Sequence, residues 1–434
     1  MEQLQILSAR WGKDNSIDTY IADGGYGILS DVLAMSPETI TQAVKDSELR
    51  GRGGAGFPTG MKWSFVPKSA PKPTYLICNA DESEPGTFKD REIMEKDPHL
   101  LIEGMIMAAR AINSSPMGYI YIRGEFYYGA MVLEKALAEA RQRGYLGKNI
   151  LGSGFDYDLT VHRGAGAYIC GEETGLIESL EGKRGQPRVK PPFPAVVGVF
   201  GGPTVVNNVE TLACVPLIMK NGANWFKSFG IPKNTGPKLY CVSGHIKKPG
   251  VYEFPMTITL RELIYEHCGG ITDDRKLKAV IPGGASAPML TAGEIDLPLT
   301  FDALMKAGSM LGSAGIIVMD ESACIVDATW RLAKFFAHES CGQCTPCREG
   351  TNWLESILLR LERGEGRPQD ADLLMDMSDN IGGKSLCAFG DAAIGPVMSS
   401  VEKFRDEYLY HVEHKACLPE TRRYHRREML VGAH

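Results

Sequence analysis

The sequence predicts an α/β domain with a mostly parallel sheet, followed by a small β-grasp module and a C-terminal helical bundle. Strand-like and helix-like runs alternate in the first half, a hairpin-like segment begins near residue 238, and helical periodicity dominates from residue 324. Strands and helices that alternate at this spacing are typical of βαβ units. A chain of 434 residues is long enough for about three domains of this kind.

The first domain is predicted to cover residues 1–235 and to begin with a helical lead-in. Ser36, Pro37 and Glu38 provide an N-cap, a first-turn proline and a first-turn acid for a helix that runs to about Leu49. A glycine-dense loop then extends from residue 51 to residue 60. Three strands alternate with two helices after it, and in chain order they are predicted at 75–78, 99–112, 119–122, 126–143 and 157–161. This alternation predicts a mostly parallel sheet covered by helices.

Residues 236–322 are predicted to form the β-grasp module. Strands at 239–243 and 251–254 flank a wide turn, and a helix at 260–268 and a strand at 277–281 follow them. Residues 323–434 are predicted to form the helical bundle, because apolar residues recur there at helical spacing. The predicted apolar faces consist of Ile325, Ala328, Leu332 and Phe336, of Trp353, Leu354, Ile357, Leu358 and Leu361, and of Val397, Val401 and Phe404.

Charge and hydropathy argue against several classes of function. Lys and Arg total 47 against 53 Asp and Glu, a net charge of −6, whereas general nucleic-acid binders carry a basic excess. No apolar run approaches the roughly 18 residues of a membrane-spanning helix, so no direct membrane insertion is expected. The first residues lack the basic and apolar regions of a signal peptide, which predicts a cytosolic location. In that reducing environment the eleven cysteines favour metal binding or redox chemistry over disulfides.

Four cysteines have the spacing of an iron–sulfur site. Cys341, Cys344 and Cys347 form a C-x2-C-x2-C run, and Cys387 follows 40 residues after Cys347. Three closely spaced thiolates with a remote fourth can ligate a [4Fe–4S] cluster. Zinc is the alternative metal, although its sites usually pair two ligands with two distant ones. Buried cysteines without metal are the remaining alternative.

A first glycine-rich loop, residues 51–56, matches G-x-G-x-x-G. A dinucleotide-binding Rossmann motif needs a strand immediately before the loop, and here the preceding residues have a helical pattern. Glycines still allow a ligand to approach the backbone closely, and free amides can bind phosphate. Phe57 and Lys62 next to the loop suit a nucleotide, whereas a flexible surface loop is the alternative.

Acidic residues and a second glycine-rich loop follow two of the predicted strands. Asn79, Asp81, Glu82 and Glu84 come after the first strand, where ligands of parallel sheets bind, although solvated loop charges are the alternative. The third strand is followed by a glycine-rich loop and by two acids in the first turn of a helix, where negative charge is favourable. These residues are Gly164, Gly166, Tyr168, Gly171, Glu172 and Glu173. Together the loops predict a nucleotide site shared between a flavin and a pyridine nucleotide.

Six runs of the sequence resemble the NADH-binding flavoprotein subunit of respiratory complex I, NADH–quinone oxidoreductase. They are residues 50–62, 79–89, 163–174, 190–194, 207–211 and 339–349. They occur in the same order as in that family, and the resemblance covers nearly the whole chain. It implies a Rossmann-like FMN-binding domain, a soluble-ligand-binding β-grasp module, and a four-helix bundle that carries one [4Fe–4S] cluster.

The resemblance also implies a role for individual residues. Those expected around FMN are Gly53, Gly54, Lys62, Asn79, Asp81, Glu82, Tyr168, Glu172, Asn207, Asn208 and Thr211. Gly164, Gly166 and Gly171 of the second glycine-rich loop are expected to bind the cofactor as well. Phe57, Phe65 and Phe193 are expected to stack on the adenine of NADH. Glu84 and Glu173, assigned as catalytic residues, and Lys190 are expected at the ribose or nicotinamide. Cys341, Cys344, Cys347 and Cys387 are expected to hold the cluster.

The activity implied by the resemblance is NADH dehydrogenase. FMN accepts hydride from NADH and passes electrons singly to the [4Fe–4S] cluster and onward toward quinone. The implied partners are a thioredoxin-like [2Fe–2S] subunit and a larger multi-cluster iron–sulfur subunit, on the cytoplasmic arm of a complex at the inner face of the cell membrane. The glutamates near the flavin are hypothesised to disfavour its anionic reduced form and to repel a negatively charged product.

Two other functions are compatible with these motifs. Related flavoproteins serve as the diaphorase subunits of NAD-linked hydrogenases and formate dehydrogenases, which often carry an additional [2Fe–2S] domain or ferredoxin-like clusters. Neither extension is found in this sequence, which favours the respiratory subunit. A non-catalytic scaffold that carries a cluster is the alternative from a different class, and the intact flavin-site residues argue against it.

Overall fold

A computed structural model describes residues 1–114 and 116–421 and shows a mixed α/β protein. Its strands are β1 (Tyr75–Ala80), β2 (Met117–Ile122), β3 (Asp158–Arg163), β4 (Thr204–Asn208), β5 (Gly230–Ile231), β6 (Asn234–Thr235), β7 (Pro237–Gly244), β8 (Gly250–Pro255), β9 (Leu277–Ile281), β10 (Leu290–Thr291) and β11 (Gly315–Asp320).

The helices occur before, between and after these strands. They are α1 (Ile17–Ala22), α2 (Leu29–Ala34), α3 (Pro37–Asp46), α4 (Thr59–Trp63), α5 (Lys89–Lys96), α6 (Pro98–Ala111), α7 (Tyr127–Gln142), α8 (Glu173–Leu180), α9 (Val209–Asn221), α10 (Ala223–Lys227), α11 (Leu260–Glu262), α12 (Phe301–Lys306), α13 (Ile325–Glu339), α14 (Thr345–Glu362), α15 (Asp370–Ile381), α16 (Phe389–Lys403) and α17 (Arg405–His414). Among the described residues, no helix combines the length and apolar character needed to cross a lipid bilayer.

The first sheet is parallel and has the strand order β3-β2-β1-β4. The three predicted strands are present, and β3 begins one residue later and ends two residues later than expected. Strand β4 is not predicted from the sequence; it has five residues and pairs with β1 from Tyr75↔Thr204 to Asn79↔Asn208. Because all four strands are parallel, their carboxyl ends meet at one edge of the sheet.

Helices cover this sheet and build the largest apolar core. Helix α3 begins as predicted, with the Ser36 hydroxyl accepting from the Thr39 amide, but it ends at Asp46 rather than near Leu49. Helix α6 is buried along almost its whole length and packs on α9. At that crossing a Cβ on Gly104 would lie 2.1 Å from the carbonyl oxygen of Leu212, so only glycine allows the two helices to approach so closely.

The second sheet is mixed and has the order β10-β9-β11-β7-β8. The predicted hairpin is the antiparallel pair β7–β8, while β11 pairs parallel with β7 and antiparallel with β9. The predicted helix at 260–268 is the short helix α11 continued by a π-helical turn at Leu263–His267. This sheet has its own apolar core around Tyr240, Phe254 and Ile316.

The C-terminal part is helical from α13 to α17. Helices α13, α14, α15 and α16 pack side by side, and α17 closes one end of the group. Most residues of the predicted apolar faces are buried, among them Ile325, Phe336 and Leu358. Trp353 differs, because it lies at the margin of its face with 54% of its surface exposed.

Candidate functional site

Polar side chains from several loops gather at the carboxyl edge of the parallel sheet. The Asn79 side-chain amide at the end of β1 donates to the carbonyl oxygen of Gly171 at 2.8 Å, and its Oδ1 accepts from the Asp81 amide at 3.1 Å. Asn79 therefore joins the loop after β1 to the glycine-rich segment after β3. At this edge of the sheet, residues near position 80 contact residues near position 171.

One carboxylate oxygen of Asp81 accepts a hydrogen bond, and the other has no hydrogen-bond partner among the described residues. Its Oδ1 accepts from the Ser83 hydroxyl, while its buried Oδ2 has no hydrogen-bond partner among the described residues. Burial raises the pKa of Asp81 from 3.8 to about 7. A buried oxygen without a donor is rare in native proteins and suits a ligand that provides one.

Glu82 has a different environment from the one that the sequence suggests. Its buried carboxylate accepts from the amides of Asp90 at 2.8 Å and Arg91 at 3.0 Å, in the first turn of α5. Burial, reinforced by the Asp90 carboxylate, raises the pKa of Glu82 to about 8. The Glu82 carboxylate is therefore bound to backbone amides at the start of α5.

Glu84 joins the two sheets. Its Oε2 accepts from the Tyr168 hydroxyl at 2.6 Å, and its Oε1 accepts from both the amide and the hydroxyl of Ser286 at 2.7 Å. Gly284 lies so close that a Cβ there would be 2.4 Å from Cγ of Glu84. Burial raises the pKa of Glu84 even though three donors oppose the shift. Sequence reasoning missed Ser286, because it lies more than 200 residues away and no local motif marks it.

Two lysines and two glutamates form an ion-pair array at the start of α8. The Lys190 ammonium lies 2.7 Å from Glu172 and 3.1 Å from Glu173, and Lys62 lies 2.8 Å from Glu173. Glu172 also accepts from the amides of Thr174 and Gly175 as the N-cap of α8. Burial acts to raise the pKa of Glu173, but the two ammonium groups outweigh it and hold the pKa below 4.5. All four predicted side chains are therefore brought together.

The first glycine-rich loop packs against the end of β4. A Cβ on Gly53 would lie 2.9 Å from Cβ of Asn208, and the Arg52 amide donates to the Thr211 hydroxyl at 2.8 Å. Gly54 has a φ of +142°, in a region that side chains disfavour. The loop therefore places backbone atoms without side chains at the sheet edge.

Buried side chains form hydrogen bonds with Asn207 and Asn208. Oδ1 of Asn207 accepts a hydrogen bond from the Trp63 indole at 2.8 Å. The side-chain amide of Asn208 donates to the Asp90 carboxylate at 2.6 Å. Asp90 in turn pairs with the buried Lys89, whose ammonium also lies 2.8 Å from Glu210. Sequence reasoning missed this buried charge network, since charged residues outside a motif are usually solvated.

The second glycine-rich loop approaches neighbouring side chains closely. A Cβ on Gly164 would lie 2.7 Å from the Tyr121 hydroxyl, and Gly166 has a φ of +81°. A Cβ on Gly171 would lie 3.6 Å from the Asp81 carbonyl oxygen, an ordinary contact. Two of these three glycines are therefore required by packing or backbone conformation.

Three phenylalanines near this edge are largely exposed. Phe57, Phe65 and Phe193 have 45%, 53% and 58% of their surface accessible. The rings of Phe57 and Phe65 are neighbours, with centroids 6.1 Å apart, whereas no ring contact joins Phe193 to either of them among the described residues. Exposed aromatic rings of this kind offer flat apolar surface to a ligand.

The four motif cysteines line one pocket in the helical region. Cys341 and Cys344 lie between α13 and α14, Cys347 lies in the first turn of α14, and Cys387 precedes α16. The lining of this pocket also includes Leu386 and Phe389. The amide of Leu386 donates to Sγ of Cys344 at 3.3 Å. Four convergent sulfurs of this kind fit a metal cluster.

Tyr168 lies between the sheet edge and the cysteine pocket. Its hydroxyl contacts Glu84, and its backbone amide donates to Oε2 of Glu339 at 3.0 Å, two residues before Cys341. Its ring packs edge-on against Phe389, with centroids 5.8 Å apart, and Phe389 lines the pocket. Tyr168 thus contacts Glu84 at the sheet edge and, on the other side, Phe389 in the wall of the cysteine pocket.

Three segments of the chain match known protein families. Residues 44–217 match the Nuo51 FMN-binding domain, and residues 238–318 match the SLBB domain. Residues 327–411 match the NADH-ubiquinone oxidoreductase-F iron-sulfur binding region. The first and third of these matches contain most of the side chains described above.

Whole-length relatives show the same similarity. The chain is 56% identical to a NADH-quinone oxidoreductase F subunit of Rhizobium meliloti (strain 1021) over 402 residues, which are 92% of this chain and 95% of the relative. It is 55% identical to the NADH-quinone oxidoreductase F subunit of Mycobacterium tuberculosis (strain ATCC 25618 / H37Rv), over 95% of this chain and 94% of that protein. A crystal structure of NAD+-reducing [NiFe]-hydrogenase in the air-oxidized state superposes with a TM-score of 0.82 at 38% identity, covering 95% of this chain and 67% of that one.

Proposed function

The chain belongs to the family of NADH-quinone oxidoreductase F subunits, and we propose that its sheet edge binds FMN and NADH while its cysteine pocket holds a [4Fe–4S] cluster. Its activity is that of an NADH dehydrogenase subunit, with FMN and a [4Fe–4S] cluster as cofactors and NADH as substrate. The observation that supports this placement is Tyr168, which contacts Glu84 at the sheet edge and Phe389 in the wall of the pocket.

The residues at the sheet edge fit a flavin nucleotide. The unpaired Oδ2 of Asp81 accepts a donor of the ligand, and the open space beside Gly54 leaves room for the ligand next to the backbone. The proposed FMN contacts are Gly53, Gly54, Lys62, Asn79, Asp81, Glu82, Gly164, Gly166, Tyr168, Gly171, Glu172, Asn207, Asn208 and Thr211. Since its carboxylate is occupied by α5, Glu82 contributes to this site through its backbone and by positioning the loop.

The protein positions NADH beside this site. Phe57, Phe65 and Phe193 stack on the adenine, since their rings are exposed. Glu84, Glu173 and Lys190 contact the ribose or nicotinamide portion. Bound FMN supplies the chemistry that takes electrons from NADH as a pair and releases them one at a time. No side chain has to move a proton for that transfer. Glu84 and Glu173 are therefore proposed to act by contacting NADH and by the electrostatic effect of their carboxylates.

The cysteine pocket fits the iron–sulfur cluster. We assign Cys341, Cys344, Cys347 and Cys387 as its ligands, because all four side chains line one pocket. The Leu386 amide donates to Cys344, and hydrogen bonds to a ligand sulfur raise the reduction potential of such a cluster. The Tyr168 ring packs edge-on against Phe335, Phe336 and Phe389, which places apolar surface between the two sites.

The proposed domains follow the same division. Residues 1–235 form the Rossmann-like FMN and NADH domain, residues 236–322 the β-grasp module, and residues 323–434 the four-helix bundle. Each of the three family matches falls within one of these ranges, which supports the division. The third range extends beyond the described residues.

As a family member the chain assembles with other subunits of its complex. We propose a thioredoxin-like [2Fe–2S] subunit and a larger multi-cluster iron–sulfur subunit as its immediate partners, and a cytoplasmic position at the inner face of the cell membrane. The superposition on NAD+-reducing [NiFe]-hydrogenase favours a diaphorase subunit of such an enzyme as the second candidate. The respiratory function is better supported, because identity to the Rhizobium meliloti relative is 56% against 38% for the hydrogenase.

An anaerobic titration of the purified chain with NADH tests the function directly. We expect bleaching of an FMN-type spectrum, an EPR signal from a reduced cluster, and about four irons per chain. Reduction by dithionite but not by NADH would contradict the assignment of the electron donor. Bound zinc without flavin would contradict two assignments, that of FMN to the glycine-rich loops and that of the [4Fe–4S] cluster to the four cysteines.

A further inference from the structure

We propose that Cys324, Glu362, His411 and Cys417 form a structural Zn²⁺ site, separate from the four-cysteine pocket. Each residue offers one ligand atom, and the four atoms all lie within 4.8 Å of one another. Zinc binds thiolate, imidazole and carboxylate ligands, and its structural sites have four ligands in a tetrahedral arrangement. None of the flavin or iron–sulfur chemistry uses these side chains.

The spacing of the ligand atoms suits a tetrahedral ion. Sγ of Cys324 lies 3.2 Å from Nε2 of His411 and 3.7 Å from Oε1 of Glu362. A tetrahedral zinc with bonds of about 2.0–2.3 Å places neighbouring ligand atoms about 3.3–3.8 Å apart. The two separations are close to that range, so the side chains need little movement to bind the ion.

The histidine is oriented for metal binding by a hydrogen bond on its other nitrogen. Nδ1 of His411 lies 3.4 Å from the carbonyl oxygen of Leu361 and 3.8 Å from Oε1 of Glu362, while Nε2 lies 3.2 Å from Sγ of Cys324. A proton on Nδ1 donated to that carbonyl leaves the lone pair of Nε2 free for a cation. Backbone carbonyls commonly support metal-binding histidines in this way.

Cys324, Glu362 and His411 have buried side chains and Cys417 is half-buried, and among the described residues only the His411 imidazole is placed to balance the negative charge of the group. Cys324 is 6% exposed, His411 is fully buried, and the Glu362 side chain is 3% exposed. No lysine or arginine pairs with Glu362 within the described ranges, and its one ion-pair partner is His411. Buried thiolates and carboxylates are costly unless a positive charge accompanies them. A divalent cation would supply that charge.

The site lies at the opposite end of the bundle from the proposed iron–sulfur ligands. Cys324 precedes α13 and Cys341 follows it, so the 15 residues of that helix separate the two sites by roughly 22 Å. Helix α14 likewise begins after Cys344 and ends at Glu362. His411 lies on α17 and Cys417 follows that helix. A bound ion would therefore clamp four separate segments together, which is the function of structural zinc.

Metal analysis of the full chain, purified anaerobically without chelators, tests the proposal. We expect about one zinc per chain beside about four irons. A Cys417→Ser variant should lower the zinc content at least ~10-fold and leave iron and flavin unchanged, because Cys417 lies outside the helices. Cys268→Ala is the matched control, since Cys268 is a fully buried thiol in another part of the fold, and it should retain the zinc.

X-ray absorption at the zinc edge of the unsubstituted chain provides a second measurement that does not depend on a variant folding. We expect two sulfur ligands at about 2.3 Å and two nitrogen or oxygen ligands at about 2.0–2.1 Å. Zinc that persists in the Cys417→Ser variant would overturn the proposal. A fifth iron in place of zinc, or a disulfide between Cys324 and Cys417 found by mass spectrometry in a zinc-free chain, would overturn it as well.

Discussion

The Tyr168 hydroxyl donates a hydrogen bond of 2.6 Å to Oε2 of Glu84, and this contact joins the loop after β1 to the segment that leads into α8. The other carboxylate oxygen of Glu84 is held by Ser286 from the region of the second sheet. The Tyr168 amide contacts Glu339 at the end of α13. One hydrogen-bonded pair thus connects the sheet edge, the second sheet and the helical bundle.

The first prediction concerns this pair. Tyr168→Phe removes the hydrogen-bond donor from a half-buried oxygen of Glu84, which should lower the free energy of unfolding by about 1–3 kcal/mol. Chemical denaturation of the purified chain measures the loss. Tyr128→Phe is the control and should change nothing, because Tyr128 is 62% exposed. Equal stability of the two variants would show that the Tyr168 contact contributes little.

The second prediction concerns the charge on Glu173. Glu173→Gln removes a negative charge between Lys62 and Lys190 and leaves the array with a net positive charge. We expect a higher flavin reduction potential and tighter binding of NAD+, since less negative charge then opposes the anionic reduced flavin and the product. Potentiometric titration and NAD+ binding measure the two effects. If neither quantity changes, the tuning hypothesis is wrong.

The third prediction is a pH dependence caused by Asp81. Burial raises its pKa from 3.8 to about 7, so between those values the folded chain holds a proton that the unfolded chain has released. The stability of the flavin-free chain should therefore fall as pH rises through this window. Asp81→Asn removes the effect and should be more stable than the parent by ~1 kcal/mol or more at pH 8, with little difference at pH 4.

Thermal unfolding of both flavin-free chains across that pH range measures the effect. A stability difference that stays constant from pH 4 to pH 8 would contradict a raised pKa for Asp81. The same comparison with FMN added reports on the ligand, because Asp81→Asn replaces an acceptor with a group that is a donor at one of its two positions.

The fourth prediction concerns the first glycine-rich loop. A Cβ on Gly53 would lie 2.9 Å from Cβ of Asn208, so Gly53→Ala should displace the loop or the asparagine and destabilise the chain by about 1–3 kcal/mol. Flavin content after purification should fall, while iron content is unchanged. Gly12→Ala is the control, because nothing lies within 4 Å of a Cβ at that position. Full flavin retention in Gly53→Ala would argue against a cofactor beside this loop.

The fifth prediction separates the cluster from the flavin. Cys387→Ser removes one proposed ligand and should abolish the EPR signal of the cluster and lower iron content, because each cluster is held by four cysteines. NADH should still bleach the flavin, since Cys387 is not among the residues proposed to contact it. Cys214→Ala, which changes another buried thiol, should keep the full iron content. Normal iron content in Cys387→Ser would exclude Cys387 as a ligand.

Several features of the protein are evident from its sequence. The C-x2-C-x2-C run with Cys387 predicts that four cysteines lie close together, and all four line one pocket in the structure. The alternation of strand and helix predicts a parallel sheet, and three of its four strands were located within two residues at either end. Such features are local: residue periodicity and short motifs depend on neighbours within a few positions.

Other features were decided by the tertiary structure. Strand β4 is short, and pairing with β1 more than 120 residues away places Asn207 and Asn208 at the site. Glu82 is predicted to contact FMN, and packing pairs its carboxylate with the free amides at the start of α5. Ser286 reaches Glu84, and Cys324 meets His411, only because separate elements pack against each other. The sequence determined which chemical groups are present, whereas long-range packing decided which of them meet, because such contacts leave no pattern between neighbouring residues.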